Sequence, residues 1–182
     1  MKFVVLLPLF AALLVAGCGE KAAIPSEAPK SLSDAEFERL LKAAFDYESL
    51  ITRTDGLMYR KSKPYSGWAK AMSDSGQVIA LMEIKDGKHD GLVTYWWGNG
   101  LKREEITFKD GKQDGLATYY YDNGQKREET TFKDGRQDGI VTYWHDNGQK
   151  KAEVTYQDDK QISGKYWNSK GEEVETVEEV HD

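Results

Sequence analysis

The sequence predicts an all-β protein, an elongated antiparallel meander of tandem 24-residue β-hairpin repeats with one N-terminal α-helix. Three observations predict this fold class. A segment of 24 residues recurs across residues 67–174, and each copy holds two short runs rich in Tyr, Thr and aliphatic residues. In the central copies, Asn-Gly joins the two runs and Asp-Gly leads into the next copy. Both dipeptides favour the positive φ angles of type I′ hairpin turns.

Residues 1–17 have the pattern of a secretory signal peptide. Lys2 supplies an early positive charge, an apolar run follows, and Ala16 and Gly17 come directly before Cys18. The run is shorter than the roughly 20 residues that a membrane-spanning helix needs. Small residues before a cysteine resemble the bacterial lipobox, in which the cysteine thiol receives diacylglycerol before cleavage. The resemblance implies that Cys18 is the lipidation site and the N-terminus of the mature protein.

Lipidation of Cys18 predicts a protein anchored in the cell envelope. Gly19 stands where an inner-membrane retention signal would place Asp, so the resemblance implies the outer membrane in a cell with two membranes. An ordinary signal peptide that contains a cysteine is the alternative. Against it, Cys18 is the only cysteine of the chain and lies at the predicted cut, which also leaves no thiols for disulfides or a thiolate zinc site.

Residues 18–32 lack apolar periodicity and predict a flexible tether behind the lipidated cysteine. An amphipathic helix is predicted over residues 33–48. Ser33 and Glu36 form a capping box, in which each side chain satisfies a free backbone N–H at the helix start. One apolar stripe runs along the helix and must be buried, and the first strands are the expected partner. The stripe consists of Phe37, Leu40, Leu41, Ala44 and Phe45.

Residues 49–66 are predicted to form entry strands that lead into the repeat array at residues 67–174. The first copy of the array is degenerate. A truncated fifth copy, residues 165–171, arrives one residue early and ends the array. The full-length copies open at Gly67, Gly91, Gly115 and Gly139.

The copy at residues 115–138 shows how one repeat is expected to fold. Leu116–Tyr121 is the outgoing strand, Asn123-Gly124 is the hairpin turn, and residues 126–133 form the return strand. Asp134-Gly135 then turns the chain into the next copy. Roughly nine or ten strands, at about 4.8 Å each, predict a sheet about 45 Å long.

Comparison of the copies predicts the exposed face, because successive side chains of a strand point to opposite faces. On the return strands, Ile106 and Phe108 predict an apolar face, whereas Arg103 and Glu105 predict a charged, solvated one. On the outgoing strands, tyrosines are predicted to cross the wet face. The next site on their side varies from Trp to Tyr to His, which indicates exposure. The candidate binding face consists of Tyr95, Trp97, Tyr119, Tyr121, Tyr143 and His145.

Tyr and Trp are enriched in interaction hot spots, so this row predicts a protein partner. An extended glycan chain is an alternative ligand. Packing of the row against the helix, or against a second copy of the protein, is the alternative in which the row has a structural role only.

The pattern Gly-x-x-x-Tyr-Trp-x-Asp-Asn-Gly-Gln-Lys, followed by Lys-Asp-Gly-Lys-x-Asp-Gly, resembles the bacterial variant of the MORN repeat over about residues 55–174. The first copy departs from it, with Ala71 where tyrosine is expected. The resemblance implies consecutive β-hairpins in one elongated sheet, membrane or protein partners, and no catalytic residues. Family members are commonly catalogued as antitoxins or as lipoproteins.

We therefore predict a non-enzymatic, membrane-anchored lipoprotein whose repeat sheet serves as a protein-binding or scaffold surface. An antitoxin-like or immunity protein that neutralises a cognate toxin is the alternative. The formal net charge is −6, and residues 172–182, which include the predicted acidic tail at 175–182, hold six acidic residues and no Lys or Arg. The repeats are close to neutral, so no nucleic-acid partner is predicted, because phosphate binding needs clustered Lys and Arg.

No metal site and no cofactor are predicted. His89, His145 and His181 have no spacing typical of metal ligands. Paired aspartates such as Asp110 and Asp114 recur in the loops, but calcium needs about six to eight oxygen ligands. Two aspartates with a lysine between them are better explained as turn formers.

Overall fold

The computed structural model describes residues 33–175 and Val180. The predicted signal peptide, Cys18, the tether and most of the acidic tail lie outside the described residues. In chain order the elements are α1 (Asp34–Ala43), β1 (Phe45–Asp46), a 3₁₀ turn (Tyr47–Ser49), β2 (Ile51–Thr52), β3 (Met58–Arg60), β4 (Lys63–Pro64), β5 (Gly67–Met72), β6 (Val78–Lys85), β7 (Lys88–Trp96), β8 (Lys102–Lys109), β9 (Lys112–Tyr120), β10 (Lys126–Lys133), β11 (Arg136–Gln137), β12 (Gly139–Trp144), β13 (Lys150–Gln157), β14 (Lys160–Trp167) and β15 (Glu173–Val174).

The repeats form one long sheet in which strands that follow each other in the chain lie side by side. Its order is β1-β5-β6-β7-β8-β9-β10-β12-β13-β14-β15, with the short β11 beside β10. The strands from β5 onward pair antiparallel, whereas β1 pairs parallel with β5. Strands β2, β3 and β4 form a separate small sheet. The predicted fold class, a meander of hairpins with one N-terminal helix, is confirmed.

Helix α1 begins at its predicted cap but ends at Ala43 rather than at residue 48. The Ser33 hydroxyl oxygen accepts a hydrogen bond from the Glu36 backbone N–H at 3.3 Å, as a capping box requires. The helix ends early because Phe45 leaves it to pair with Ala69 as part of β1. A ladder with a distant strand therefore overrides the local periodicity that predicted a longer helix.

The apolar stripe of the helix is half-buried, as predicted. The Phe37 ring lies 5.2 Å from the Trp96 ring between centroids. The Lys70 ammonium group donates a hydrogen bond to the Leu41 carbonyl oxygen at 3.2 Å. The stripe thus packs on the first strands of the long sheet, the partner that the sequence predicted.

The small sheet closes a core over the beginning of the array. Its Met58 backbone N–H donates to the Gly87 carbonyl oxygen in the β6–β7 turn at 2.9 Å. Gly87 has a φ angle of 81°, and a Cβ there would lie 2.9 Å from the Met58 carbonyl oxygen, so only glycine fits. The buried cluster beneath consists of Met58, Tyr65, Ala69, Ala80, Met82, Ile84 and Val93.

The two kinds of turn differ in geometry. Asp134 and Gly135 both have positive φ, at 52° and 88°, which is the predicted type I′ conformation. At the Asn-Gly turns the prediction is wrong, because Gly124 has positive φ and Asn123 does not. The Asn123 Oδ1 atom instead accepts a hydrogen bond from the Gln125 backbone N–H at 2.9 Å. The asparagine therefore acts through its side chain rather than through an unusual backbone angle.

A β-bulge recurs at the start of every return strand in the four full-length copies. Tyr95 pairs with Glu104 and Trp96 pairs with Lys102, which leaves Arg103 as an extra residue. The equivalent extra residues are Ile79, Arg103, Arg127 and Lys151.

A second irregularity, where one copy joins the next, explains why the last copy arrives early. Between β8 and β9, residues 114–116 lie opposite the single residue Thr107. Between β13 and β14, the pairs Val154–Gly164 and Tyr156–Gln161 leave only two residues opposite one. One residue fewer in this bulge shortens the period without changing the faces of the strands that follow.

Candidate functional site

The pairing register assigns the aromatic residues to two faces of the long sheet, because directly opposed residues of neighbouring strands share a face. Tyr95 lies opposite Ala80 and Glu104, whereas Trp96 lies opposite Lys102. We call the face with Tyr95, Tyr119, Tyr143 and Tyr166 the tyrosine face. The opposite face, with Trp96, Tyr120, Trp144 and Trp167, is the tryptophan face.

The tyrosines cross the apolar face of the sheet, so the prediction that they cross a wet face is wrong. Ala117, two residues before Tyr119, pairs with Ile106 on one side and with Thr130 on the other. The apolar return-strand residues therefore lie beside the tyrosines. The prediction failed because the sequence does not give the pairing register of neighbouring strands. A shift of one residue in that register sends every side chain of a strand to the opposite face.

The tyrosine rings cover the centre of this face. A Cβ on Gly164 would lie 2.7 Å from the Tyr166 hydroxyl oxygen, so that ring lies flat over its own strand. The Tyr166 hydroxyl in turn accepts a hydrogen bond from the Gln161 side-chain amide at 3.1 Å. Between the tyrosine side chains, Ala117 and Thr130 are both 0% exposed. A single-layered sheet thus uses its own phenol rings as the cover of its centre.

Burial is the main cause that raises the pKa of Tyr143 to about 12, and the nearby Glu128 carboxylate contributes to the same rise. Because the folded state favours the neutral phenol, this contribution to stability is complete below the ordinary pKa of 10.0 and is lost as the pH rises toward 12. We expect the free energy of unfolding to fall over that interval, and to fall less steeply in Tyr143→Phe. Urea unfolding at a series of alkaline pH values measures both slopes, and equal slopes would contradict the assignment.

Three positions of the candidate binding face vary among the copies, and they are half-buried rather than exposed. They are Trp97, Tyr121 and His145. The Tyr121 hydroxyl donates to the Trp144 carbonyl oxygen of the next copy at 2.8 Å. His145 Nε2 lies 3.0 Å from the Trp167 carbonyl oxygen one copy further on. The predicted exposure is wrong, and for Tyr121 and His145 the reason is that their side chains bond to the following repeat. That the six residues form a binding surface stays a prediction.

Residues 113–134 and 137–158 match the family model of the MORN repeat variant. Each match spans one hairpin, from the residue before the bulge between copies to the next Asp turn. For these two segments the resemblance to the MORN repeat is confirmed. A search of curated proteins finds no match to the chain.

The cations at the bulges lie over aromatic rings of the repeats. The Arg103 guanidinium carbon is 5.3 Å from the Tyr95 ring centroid and 5.5 Å from that of Trp97. Arg127 takes the same position over Tyr119, at 5.7 Å. The prediction that Arg103 shares a charged face with Glu105 is wrong, because the bulge turns the arginine toward the tyrosine face. A basic residue that recurs at positions 103, 127 and 151 was the signal for this contact.

The tryptophan face carries a repeated unit of lysine, glutamate and aromatic ring. Lys102 pairs with Glu105 at 2.7 Å, and the Tyr120 hydroxyl donates to the same carboxylate at 2.8 Å. The Lys150 ammonium group pairs with Glu153 and lies 5.3 Å from the Trp167 ring centroid. Charged pairs therefore alternate with flat rings along this face.

Two ladders of side chains join the turns at the two edges of the sheet. The Asn123 amide donates to the Asp146 carbonyl oxygen of the next hairpin turn at 3.0 Å. At the opposite edge, the Asp114 carboxylate accepts a hydrogen bond from the Asp134 backbone N–H at 3.1 Å. These aspartates hold turns together, in agreement with their interpretation as turn formers. Among residues 33–175 and Val180, no group of three or more His, Cys, Asp or Glu could hold a metal ion.

Proposed function

We propose that this chain is a non-enzymatic lipoprotein, anchored through lipid on Cys18, whose repeat sheet is a scaffold that binds a protein partner in the cell envelope. MORN repeats are generally protein- or membrane-interaction modules, and the match of two hairpins to that family supports the proposal. The observation that most supports the proposal is the tryptophan face, on which one arrangement of charged pair and aromatic ring recurs along successive copies.

The tryptophan face suits a protein partner better than the tyrosine face does. Its rings stand beside lysine and glutamate side chains that offer donors and acceptors. Near its C-terminal end, Ile140 on β12 is 50% exposed and pairs with Thr155 of β13. Ile162, which is 60% exposed, lies in the bulge of β14 next to Ser163, the residue that pairs with Thr155 from the other side. Rings and aliphatic side chains edged by charge are typical of interface centres with a polar rim.

Anchoring through Cys18 is a separate part of the proposal. In the part of the chain that the structure describes, no helix has the length and apolarity to cross a bilayer. Acyl chains on Cys18 would contribute about 0.8 kcal/mol of membrane affinity per buried CH₂. The 14 residues at 19–32 reach at most about 45–50 Å when extended, which lets the sheet meet a partner away from the membrane surface.

The proposal is tested by the double variant Ile140→Glu, Ile162→Glu in the full-length protein. We expect chemical crosslinking in intact cells to give a discrete adduct with the unchanged protein, and at least about tenfold less adduct with the double variant. Both side chains are largely exposed, so the melting temperature should stay the same.

Ile51→Glu is the matched control, since Ile51 is 64% exposed but belongs to the small sheet. It should leave the adduct intact. Cys18→Ser should release the protein from the membrane fraction and so report on the anchor alone. An adduct that the double variant retains in full would overturn the assignment to the tryptophan face.

A further inference from the structure

A cavity of about 440 Å³ opens on the tyrosine face at the first copy of the repeat. Ala71, Ala80 and Met82, which are tyrosine-face residues of β5 and β6, line one side of it. Aromatic rings line the remainder, with Tyr47 from the 3₁₀ turn and Tyr95 from β7 among them. The cavity therefore lies where the row of tyrosines begins.

The cavity exists because the first copy lacks a ring that the other copies have. Ala71 occupies the position that Tyr95, Tyr119 and Tyr143 hold in the next three copies. The first copy also has Ile79 at the bulge where the others have arginine or lysine. The first copy therefore lacks both the phenol ring and the cation above it.

Polar groups around the cavity lack partners. The His89 Nδ1 and Trp97 Nε1 atoms are buried without a hydrogen-bond partner among the described residues, and both residues line the cavity. Buried polar atoms normally have a partner, and leaving one unpaired is unfavourable. A hydroxyl group can both donate and accept, so it suits this pair. Arg103 also lines the cavity and stacks over Tyr95, as its counterpart Arg127 does over Tyr119.

Tyr47, from the 3₁₀ turn, lines the cavity without filling it, since about 440 Å³ stays open.

We propose that this cavity binds a planar aromatic ring that carries a hydroxyl group, in the place that a tyrosine takes in the other copies. The chemistry is that of a phenol, which a free phenolic compound and a tyrosine side chain of a peptide both offer. The site is separate from the partner surface tested above, because it lies in the first copy whereas Ile140 and Ile162 lie near the C-terminal end of the array.

The test uses the full-length protein in detergent micelles, labelled with [¹⁵N]tryptophan, and follows the indole N–H signal of Trp97. We expect p-cresol to shift this signal with a dissociation constant on the order of 1 mM, as suits a ligand of this size. Toluene, which lacks the hydroxyl, should bind about fivefold more weakly. The peptide Gly-Gly-Tyr-Gly-Gly separates the two sources: tighter binding than p-cresol identifies a peptide tyrosine, and weaker binding identifies a free phenol.

Ala71→Tyr gives the first copy the ring of the others and should abolish the shift while the protein stays folded. Ile79→Arg, which restores the cation of the other copies, is the second filling variant in case the first does not fold. No shift of the Trp97 signal by p-cresol up to its solubility limit would overturn the proposal. So would equal binding by the unchanged protein and a folded filling variant.

Discussion

Deletion of residues 115–138 should give a folded protein that is one hairpin shorter and unfolds cooperatively in urea. The deletion joins Asp114 to Gly139. Asp114 normally precedes Gly115, the opening glycine of its copy, and Gly139 is the opening glycine of the next copy, so the new junction keeps the same Asp-Gly sequence. Space around these glycines is also equivalent, since a Cβ on Gly115 would meet Thr107 and one on Gly139 would meet Thr131. The urea dependence of unfolding should decrease in proportion to the surface removed.

Deletion of residues 127–138 alone should abolish the cooperative transition and cause aggregation. It removes the return strand with its bulge, so two outgoing strands would have to pair and Glu128 would vanish from beside Tyr143. Repeat arrays are stabilised by contacts between neighbouring units, and half a unit has no matching neighbour. Similar urea midpoints for the two deletions would show that 24 residues are not the folding unit.

Simultaneous replacement of Trp97, Tyr121 and His145 by Ser should lower the melting temperature by about 10–20 °C. The three side chains are half-buried, and two of them bond to the backbone of the following copy. Serine is too short to make these bonds, and the carbonyl oxygens of Trp144 and Trp167 would lose a partner.

Asp122→Ser with Asp146→Ser is the matched control, because these exposed residues directly follow Tyr121 and His145 in the same turns. The control should melt within a few degrees of the unchanged protein. A triple variant that also melts within a few degrees would restore the interpretation of the row as a free binding surface. Differential scanning calorimetry of the three proteins decides between the outcomes.

The sequence predicted features that depend on a few adjacent residues. The hairpin at Asn123-Gly124 and the start of helix α1 at Ser33 are of this kind, because turn and cap chemistry lie within a span of about four residues. The end of the helix was missed because it depends on Ala69, which is far away in the chain and pairs with Phe45.

The faces of the candidate site were predicted less well, for a related reason. The variation among Trp97, Tyr121 and His145 looked like tolerance of solvent, yet the Tyr121 and His145 side chains both bond to the backbone of the next copy. The position of Arg103 over Tyr95 depends on a bulge, and no single copy of the sequence reveals a bulge. Only the recurrence of the extra residue across copies, once pairing was known, identified it.

The order of the strands determines how the protein responds to tension. The chain enters the long sheet at one end and leaves it at the other, so a pull between a tethered N-terminus and a C-terminal load acts across the strands and along their hydrogen bonds. Hydrogen bonds loaded along their own direction break one after another, whereas bonds loaded in shear resist the force together. The array should therefore lengthen one hairpin at a time when a modest force pulls its two ends apart.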